Sequence, residues 1–254
     1  MCALKRYVCL LIWVASFPTF AETLNTLSYY TEEYPPYNYS VDGEVTGIAV
    51  DLLLKASQVA ESPVKAANID VKPWARAYRY TLITDNAVLF STTRTQLREH
   101  LFQWVGPIST TRIVVLAKKS SNIEINEPID LFKYRTGVIR DDVGEQLMSE
   151  LGVPVDSMQE SSYAKTLAEQ LHKGRIDLWA YEENVANWWI SQVGYDTNEF
   201  EVIFVLQEAE LYYAFNKDID KYLIDKLQQA IDKVKTNNND DGITQYDAII
   251  NQYR

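Results

Sequence analysis

The sequence predicts an α/β protein in which helices pack on mostly parallel sheet. Short apolar or β-branched runs alternate with amphipathic helical segments along most of the chain. Three of the helical segments end at a glycine, Gly152, Gly174 and Gly194, the usual residue just past a last turn. A hydrophobic fraction of 47% with only 9 Gly and 8 Pro in 254 residues supplies a core and excludes a disordered or collagen-like chain. A net charge of −11 without basic clusters makes nucleic acid and anionic lipid poor partners.

At the N-terminus, Lys5 and Arg6 precede an apolar run over 7–17, and Thr19-Phe20-Ala21 places small residues at both recognition positions for cleavage. That is the layout of a secretory signal peptide over 1–21, and the run is too short to span a bilayer. A buried N-terminal helix is the competing reading, but no polar residues alternate through the run. Cleavage leaves 233 residues with a charge of −13, because Lys5 and Arg6 leave and no acid does. Cys2 and Cys9 leave too, so the mature chain has no disulfide and no cysteine nucleophile or metal ligand. Neither cysteine is placed for lipid attachment. The expected location is the periplasm, without a lipid anchor.

The mature elements follow in order. Residues 24–30 alternate like a strand, and 31–47 carry turn residues. Residues 48–60 read as a helix, with Ile48, Leu52, Leu53 and Ala56 on one face. Pro73 opens a helix over 74–84. A buried strand over 87–91 precedes a short helix capped by Thr95 and running to His100. Strands are expected at 113–117, 136–139, 178–181, 201–205 and 211–215, and helices at 142–151, 163–173, 183–193, 219–235 and 243–251.

Enzyme signatures are missing: no G-x-G-x-x-G, P-loop, G-x-S-x-G or H-E-x-x-H occurs. His100 and His172 read as surface residues on amphipathic helices. The acid pairs Glu32-Glu33, Asp141-Asp142, Glu182-Glu183 and Asp240-Asp241 read as solvated turns or helix starts, and no calcium loop is present. Neither a metal nor a cofactor is expected. Aromatic, arginine and small polar residues instead gather where strands end: Tyr34-Pro35-Pro36-Tyr37, Lys72-Pro73-Trp74-Ala75-Arg76, and Ser91-Thr92-Thr93-Arg94-Thr95 leading to Arg98. Open α/β sheets collect ligands beyond the carboxyl ends of their strands.

These residues resemble, in order and over the mature chain, the family 3 periplasmic solute-binding proteins, which bind polar amino acids for ABC importers. Tyr34–Tyr37 and Gly47-Ile48-Ala49-Val50-Asp51-Leu52 resemble the opening loop and first helix. The segment 86–98 resembles the ligand-binding strand and turn, and Phe102-Gln103-Trp104-Val105-Gly106-Pro107 the approach to the second lobe. Gly174-Arg175-Ile176-Asp177 with Glu182, then 212–215 and the Asp241-Gly242 turn, resemble the remainder.

The resemblance implies a two-lobe, type II fold, with lobe 1 over 22–110 and 211–254, lobe 2 (111–210) inserted in it, and a ligand cleft between them. It implies that Arg98 clamps a ligand carboxylate while Ser91 and Thr93 complete that half of the site. Glu182 would pair with an ammonium, Tyr34 and Trp74 would form aromatic walls, and the helix beginning at Asp142 would point backbone N–H groups inward. Plainer readings stand beside these. Arg98 would pair with Glu99 on the surface, Trp74 would be core, Glu182 would favour the start of the next helix, and Ser91 and Thr93 would be a strand end. Asp141-Asp142-Val143 departs from the family's glycine and hydroxyl residues, and the acids either cap a helix or favour a cationic ligand. The implied protein is a monomeric binding protein, not an enzyme. It would deliver a small amino acid-like solute to ABC importer membrane subunits or, alternatively, to a membrane sensor. A dehydratase on the same scaffold, with Glu182 as catalyst, is the remaining alternative.

Overall fold

The computed structural model describes residues 23–238 and 242–253. The expected signal peptide, and Asp241 of the expected turn, lie outside the described residues. Within them the chain forms one eight-stranded mixed sheet and a two-stranded hairpin, flanked by helices.

The order along the large sheet is β4 (Ile69–Val71), β1 (Ser28–Thr31), β5 (Ala87–Thr93), β10 (Phe200–Asn216), β6 (Phe102–Lys118), β9 (Leu178–Glu182), β7 (Thr136–Ile139) and β8 (Met158–Ser161). The outer strands pair in parallel: β1 with β4 and β5, and β7 with β8 and β9. The three central pairings, β5–β10, β10–β6 and β6–β9, are antiparallel, so the sheet is mixed rather than mostly parallel. Each 17-residue central strand serves both lobes. Strand β10 meets β5 at Leu211–Phe215, whereas β6 meets β9 at Ile113–Ala117. The expected strands at 201–205 and 211–215 are therefore one strand. The expected 113–117 is likewise the end of a longer one. Register shifts at Val202/Phe204, Val205/Gln207 and Leu211/Tyr213 break the alternation that would have shown the continuity.

Helices α1 (Ile48–Val59), α2 (Trp74–Ile83), α6 (Lys221–Thr236) and α7 (Gln245–Asn251) belong to the first lobe. Helices α3 (Val143–Glu150), α4 (Ala164–His172) and α5 (Glu183–Gln192) belong to the second. The apolar face read for α1 is buried at Ile48, Leu52, Leu53 and Ala56, and full burial of each leucine contributes about 2 kcal/mol. In the second lobe Val115, Leu131, Val138, Met148 and Leu178 form a separate core cluster.

Two differences are local. Residues 95–100 form successive turns, with Thr95 O accepting from Arg98 N (3.1 Å) and Arg98 O from Leu101 N (3.0 Å). A segment that short carries the cost of helix nucleation without the propagation that repays it. Inside the supposed turn region, β2 (Tyr39–Val41) and β3 (Glu44–Thr46) form a hairpin. Asp42 and Gly43 both adopt positive φ there, as a two-residue loop on a right-twisted hairpin requires. Strands β4 and β8 have only three and four residues and no alternation long enough to read.

Candidate functional site

Loops at the carboxyl ends of β1, β4, β5, β7 and β9 face one another across the seam between lobes. A cavity of about 560 Å³ opens on it, lined by Glu32, Glu33 and Lys72 from one lobe and by Tyr163, Lys165 and Trp189 from the other. All seven expected site residues, Tyr34, Trp74, Ser91, Thr93, Arg98, Asp142 and Glu182, are buried.

Trp74 and Arg98 come together over Asp141. The Trp74 indole Nε1 donates to the Asp141 carbonyl at 2.8 Å, and Arg98 Nη2 donates to the same oxygen at 3.2 Å. Both bonds cross from the first lobe to the second. Asp141 lies in the left-handed region (φ 61°), a conformation an Asp tolerates better than most residues. Arg98 Nη1 reaches back to the Thr93 carbonyl at 3.4 Å, and its guanidinium stacks at 5.4 Å from the Trp74 ring and 5.3 Å from Tyr78. At 3% exposure Arg98 is not the surface residue of the plainer reading. Glu99 pairs with Arg94 instead. Trp74 is core, as the plainer reading has it, and also bridges the lobes.

Ser91 occupies the left-handed region (φ 56°), and its hydroxyl bonds the Asn38 side-chain oxygen. The Asn38 amide in turn donates to the Glu32 carbonyl at 2.7 Å. The Ser91 hydroxyl thus ties β5 to the loop that carries Glu32, Tyr34 and Tyr37. That loop sits on the start of α1, where Ala49 N donates to the Tyr37 carbonyl at 2.8 Å. Gly47 makes this possible: its φ is 123°, and a Cβ there would lie 2.4 Å from the Tyr37 oxygen.

Glu182 closes β9 and caps α5, its Oε2 accepting from Val185 N at 2.7 Å. The helix-start reading holds. The other oxygen, however, accepts from Tyr37 OH across the lobes (3.2 Å) and from Asn184 Nδ2 (3.3 Å). Burial pushes the Glu182 carboxyl up to about 7, while the Val185 N–H and Tyr37 OH pull the other way. Tyr34 packs edge-on against Tyr181 at 5.7 Å, and Tyr181 stacks on Trp179 at 5.2 Å.

Asp142 occupies the N-cap position of α3 and is also buried. Gly144 lets α3 start against β9, because a Cβ there would lie 2.6 Å from Ala180 O. Burial raises the Asp142 carboxyl above its ordinary range, opposed by Arg98 and by the Val143 and Gly144 amides. Glu32, half-buried, is raised too, by desolvation first and then by Asp142 and Glu33. Asp142 Oδ2 and Tyr181 OH are buried without any hydrogen-bond partner. Glu32, Tyr37 and Tyr181 were not named as site residues, and Asp141 entered only with Asp142, as acids that either cap a helix or favour a cationic ligand. Tyr37 carried a signal as the second aromatic of Tyr34-Pro35-Pro36-Tyr37. Among the described residues no group of three or more His, Cys, Asp or Glu is placed to hold a metal ion, and no helix is long and apolar enough to cross a membrane.

Residues 28–253 match the family of bacterial extracellular solute-binding proteins, family 3. No curated protein matches the sequence. Among solved structures, the chain is similar to a histidine kinase sensor domain with similarity to periplasmic binding proteins (TM-score 0.77, 16% identity, covering 90% of this chain and 95% of that one). It is similar to a mutant of ArgBP from T. maritima (TM-score 0.74, 17% identity, 89% and 94%). It also resembles the arginine-, lysine-, histidine-binding protein ArtJ from Geobacillus stearothermophilus (TM-score 0.73, 18% identity, 89% and 93%). Such identities speak for the shared two-lobe fold alone. The match over 28–253 is the stronger finding, and by it the chain belongs to the bacterial extracellular solute-binding proteins of family 3.

Proposed function

We propose that this chain is a monomeric periplasmic binding protein that captures a small polar solute, an amino acid or a related amine, by lobe closure. The closed form would then be presented to an ABC importer. The lobes would be 22–110 with 211–254, and 111–210. The observation that carries the reading is the seam itself. Asp142 Oδ2 and Tyr181 OH are buried there without partners, next to a Glu182 carboxylate that burial disfavours. Buried polar groups of this kind cost free energy unless something bonds them. Tyr34, Trp74, Ser91, Thr93, Arg98, Asp142 and Glu182 would surround that ligand, with Glu182 taking an ammonium.

A thermal-shift screen of amino acids and amines tests this. A cognate solute at about 100 times its dissociation constant adds about 2.7 kcal/mol. A screen with no shift from any member of either class sinks the solute class. Sensing is the second reading, favoured by the likeness to a histidine kinase sensor domain. Loss of labelled-solute uptake on deleting the chain supports transport, whereas intact uptake with a lost transcriptional response supports sensing. The dehydratase alternative draws no support from the family or its structural neighbours, which are binding proteins.

A further inference from the structure

Apart from that reading of the inner seam, we propose a second binding site in the outer cavity between the lobes. Its ligand is a zwitterion with an ammonium at one end of an apolar chain and a carboxylate at the other. The ammonium would lie against Glu32 of the first lobe and the carboxylate against Lys165 of the second.

The cavity is the first ground. Its volume of about 560 Å³ falls within the ordinary range for small-molecule sites, and both lobes line it. Val71 and Pro73 from the first lobe, with Tyr163 and Trp189 from the second, give it apolar and aromatic surface. None of the seven residues placed around the inner solute lines it.

The charges on its walls are the second ground. Four charged side chains line the cavity, two of each sign, and two of these are already committed within the first lobe. Glu33 accepts from Ser40 N at 2.9 Å and from the Ser40 hydroxyl at 2.6 Å, and Lys72 pairs with Asp70 at 2.9 Å. Glu32 and Lys165 remain. Neither side chain makes a hydrogen bond or an ion pair among the described residues, and the two do not pair with each other. Glu169, one turn along α4 from Lys165, is bonded to Lys173 instead.

One lobe thus brings an unpaired carboxyl group to the cavity and the other an unpaired ammonium. A dication would meet Lys165 as a like charge and a dianion would meet Glu32, whereas a zwitterion meets an opposite charge at each. Charges at the two ends of a chain reach both lobes while its methylenes cover the apolar walls. Burial, Asp142 and Glu33 raise the Glu32 carboxyl, and Arg98 opposes them; an ammonium on the cavity side would oppose them further. Lys165 also stands in the first turn of α4, whose N-cap Tyr163 gives no side-chain bond, so the helix adds positive potential on the same side.

The test is calorimetry of 4-aminobutanoate, 5-aminopentanoate and 6-aminohexanoate at pH 8. Each is compared with the amine and the carboxylic acid of the same chain length, and 6-aminohexanoate also with its α-amino isomer norleucine. The best ω-amino acid should bind at least about tenfold tighter than its amine or its acid, since a hydrogen bond to a charged group is worth about a factor of ten or more. Lys165→Met should reduce it to the affinity of the plain amine, and Glu32→Gln to that of the plain acid. Lys165 is exposed and Glu32 half-buried, so neither change should lower the melting temperature of the ligand-free protein. Unchanged affinity in either variant overturns the site, as does a failure of all three ω-amino acids to bind. Tighter binding of norleucine than of 6-aminohexanoate overturns the separated charges. Each of these outcomes leaves the inner seam to be decided by the thermal-shift screen of amino acids and amines.

Discussion

Replacing Glu182 by Gln isolates what the seam costs in the absence of ligand. Its carboxyl titrates at about 7 in the folded protein, against 4.5 for the ordinary group. A raised carboxyl costs the fold nothing below pH 4.5, loses stability as pH rises through the interval to 7, and keeps the full loss above it. At pH 8 that loss is about 3 kcal/mol, at 1.36 kcal/mol for each unit. Glutamine keeps an acceptor for Val185 N or for Tyr37 OH and carries no charge, so about 2 kcal/mol should be recovered once altered hydrogen bonds are allowed for. For a chain of this size that raises the melting temperature by roughly 4–8 °C at pH 8. Near pH 4.5 the two proteins should melt together. Differential scanning calorimetry of both ligand-free proteins across this range checks the sign and the window. A variant that is less stable at pH 8, or a difference that does not change with pH, refutes the account of Glu182 as a desolvated acid. The same substitution should weaken an ammonium ligand by about 2–5 kcal/mol, because the cation would lose its buried partner.

Three more perturbations probe the framework. Arg98→Met should cost about 3–5 kcal/mol by leaving Asp142 buried and uncompensated, and Asp142→Asn in the same chain should restore part of it; urea denaturation measures both. Trp74→Phe removes the bond to the Asp141 carbonyl and about 1 kcal/mol of closure, so ligand-free small-angle scattering should show a larger radius of gyration. Gly47→Ala forces a Cβ against the Tyr37 carbonyl at positive φ and should cost about 2–3 kcal/mol, seen as a lower melting temperature.

What could be read in advance depended on whether the information lay in a run of side chains. Helix α1 announced itself because Ile48, Leu52, Leu53 and Ala56 recur at helical spacing and face one core. The long strands β6 and β10 did not, since each leaves one lobe's core and enters another's, with bulges that shift the alternation between them. Arg98 and Trp74 were legible only as members of an ordered set of motifs. What they touch, the carbonyl of Asp141, is a backbone atom made available by a left-handed residue, and no residue type encodes that. Glu32 was set aside with other paired acids as a solvated turn or helix start, whereas Asp142 stood both among those pairs and, through the resemblance, at the head of a helix facing the ligand. Asp142 does stand at the start of a helix, but it is buried beside Arg98 and Tyr78, and burial against a distant segment has no local signature.

Under the proposed reading, the features that weaken the seam are also what make closure depend on a ligand. Among the hydrogen bonds that join the lobes without one are four: Trp74 and Arg98 to Asp141 O, Tyr37 OH to Glu182, and Gln146 Nε2 to Thr95 Oγ1. At about 1 kcal/mol each they favour closure by roughly 4 kcal/mol. Against them stand the desolvated Glu182 and the repulsion between Glu32 and Asp142. The two sides oppose one another. Moving such an equilibrium from 1:99 to 99:1 takes about 5.5 kcal/mol of differential binding, and from balance about half of that. An ammonium bonded to the buried Glu182 carboxylate supplies about 1.5–3 kcal/mol of it. A neutral polar solute of the same size would gain the contacts but not relieve the acids, so it would bind without closing the lobes.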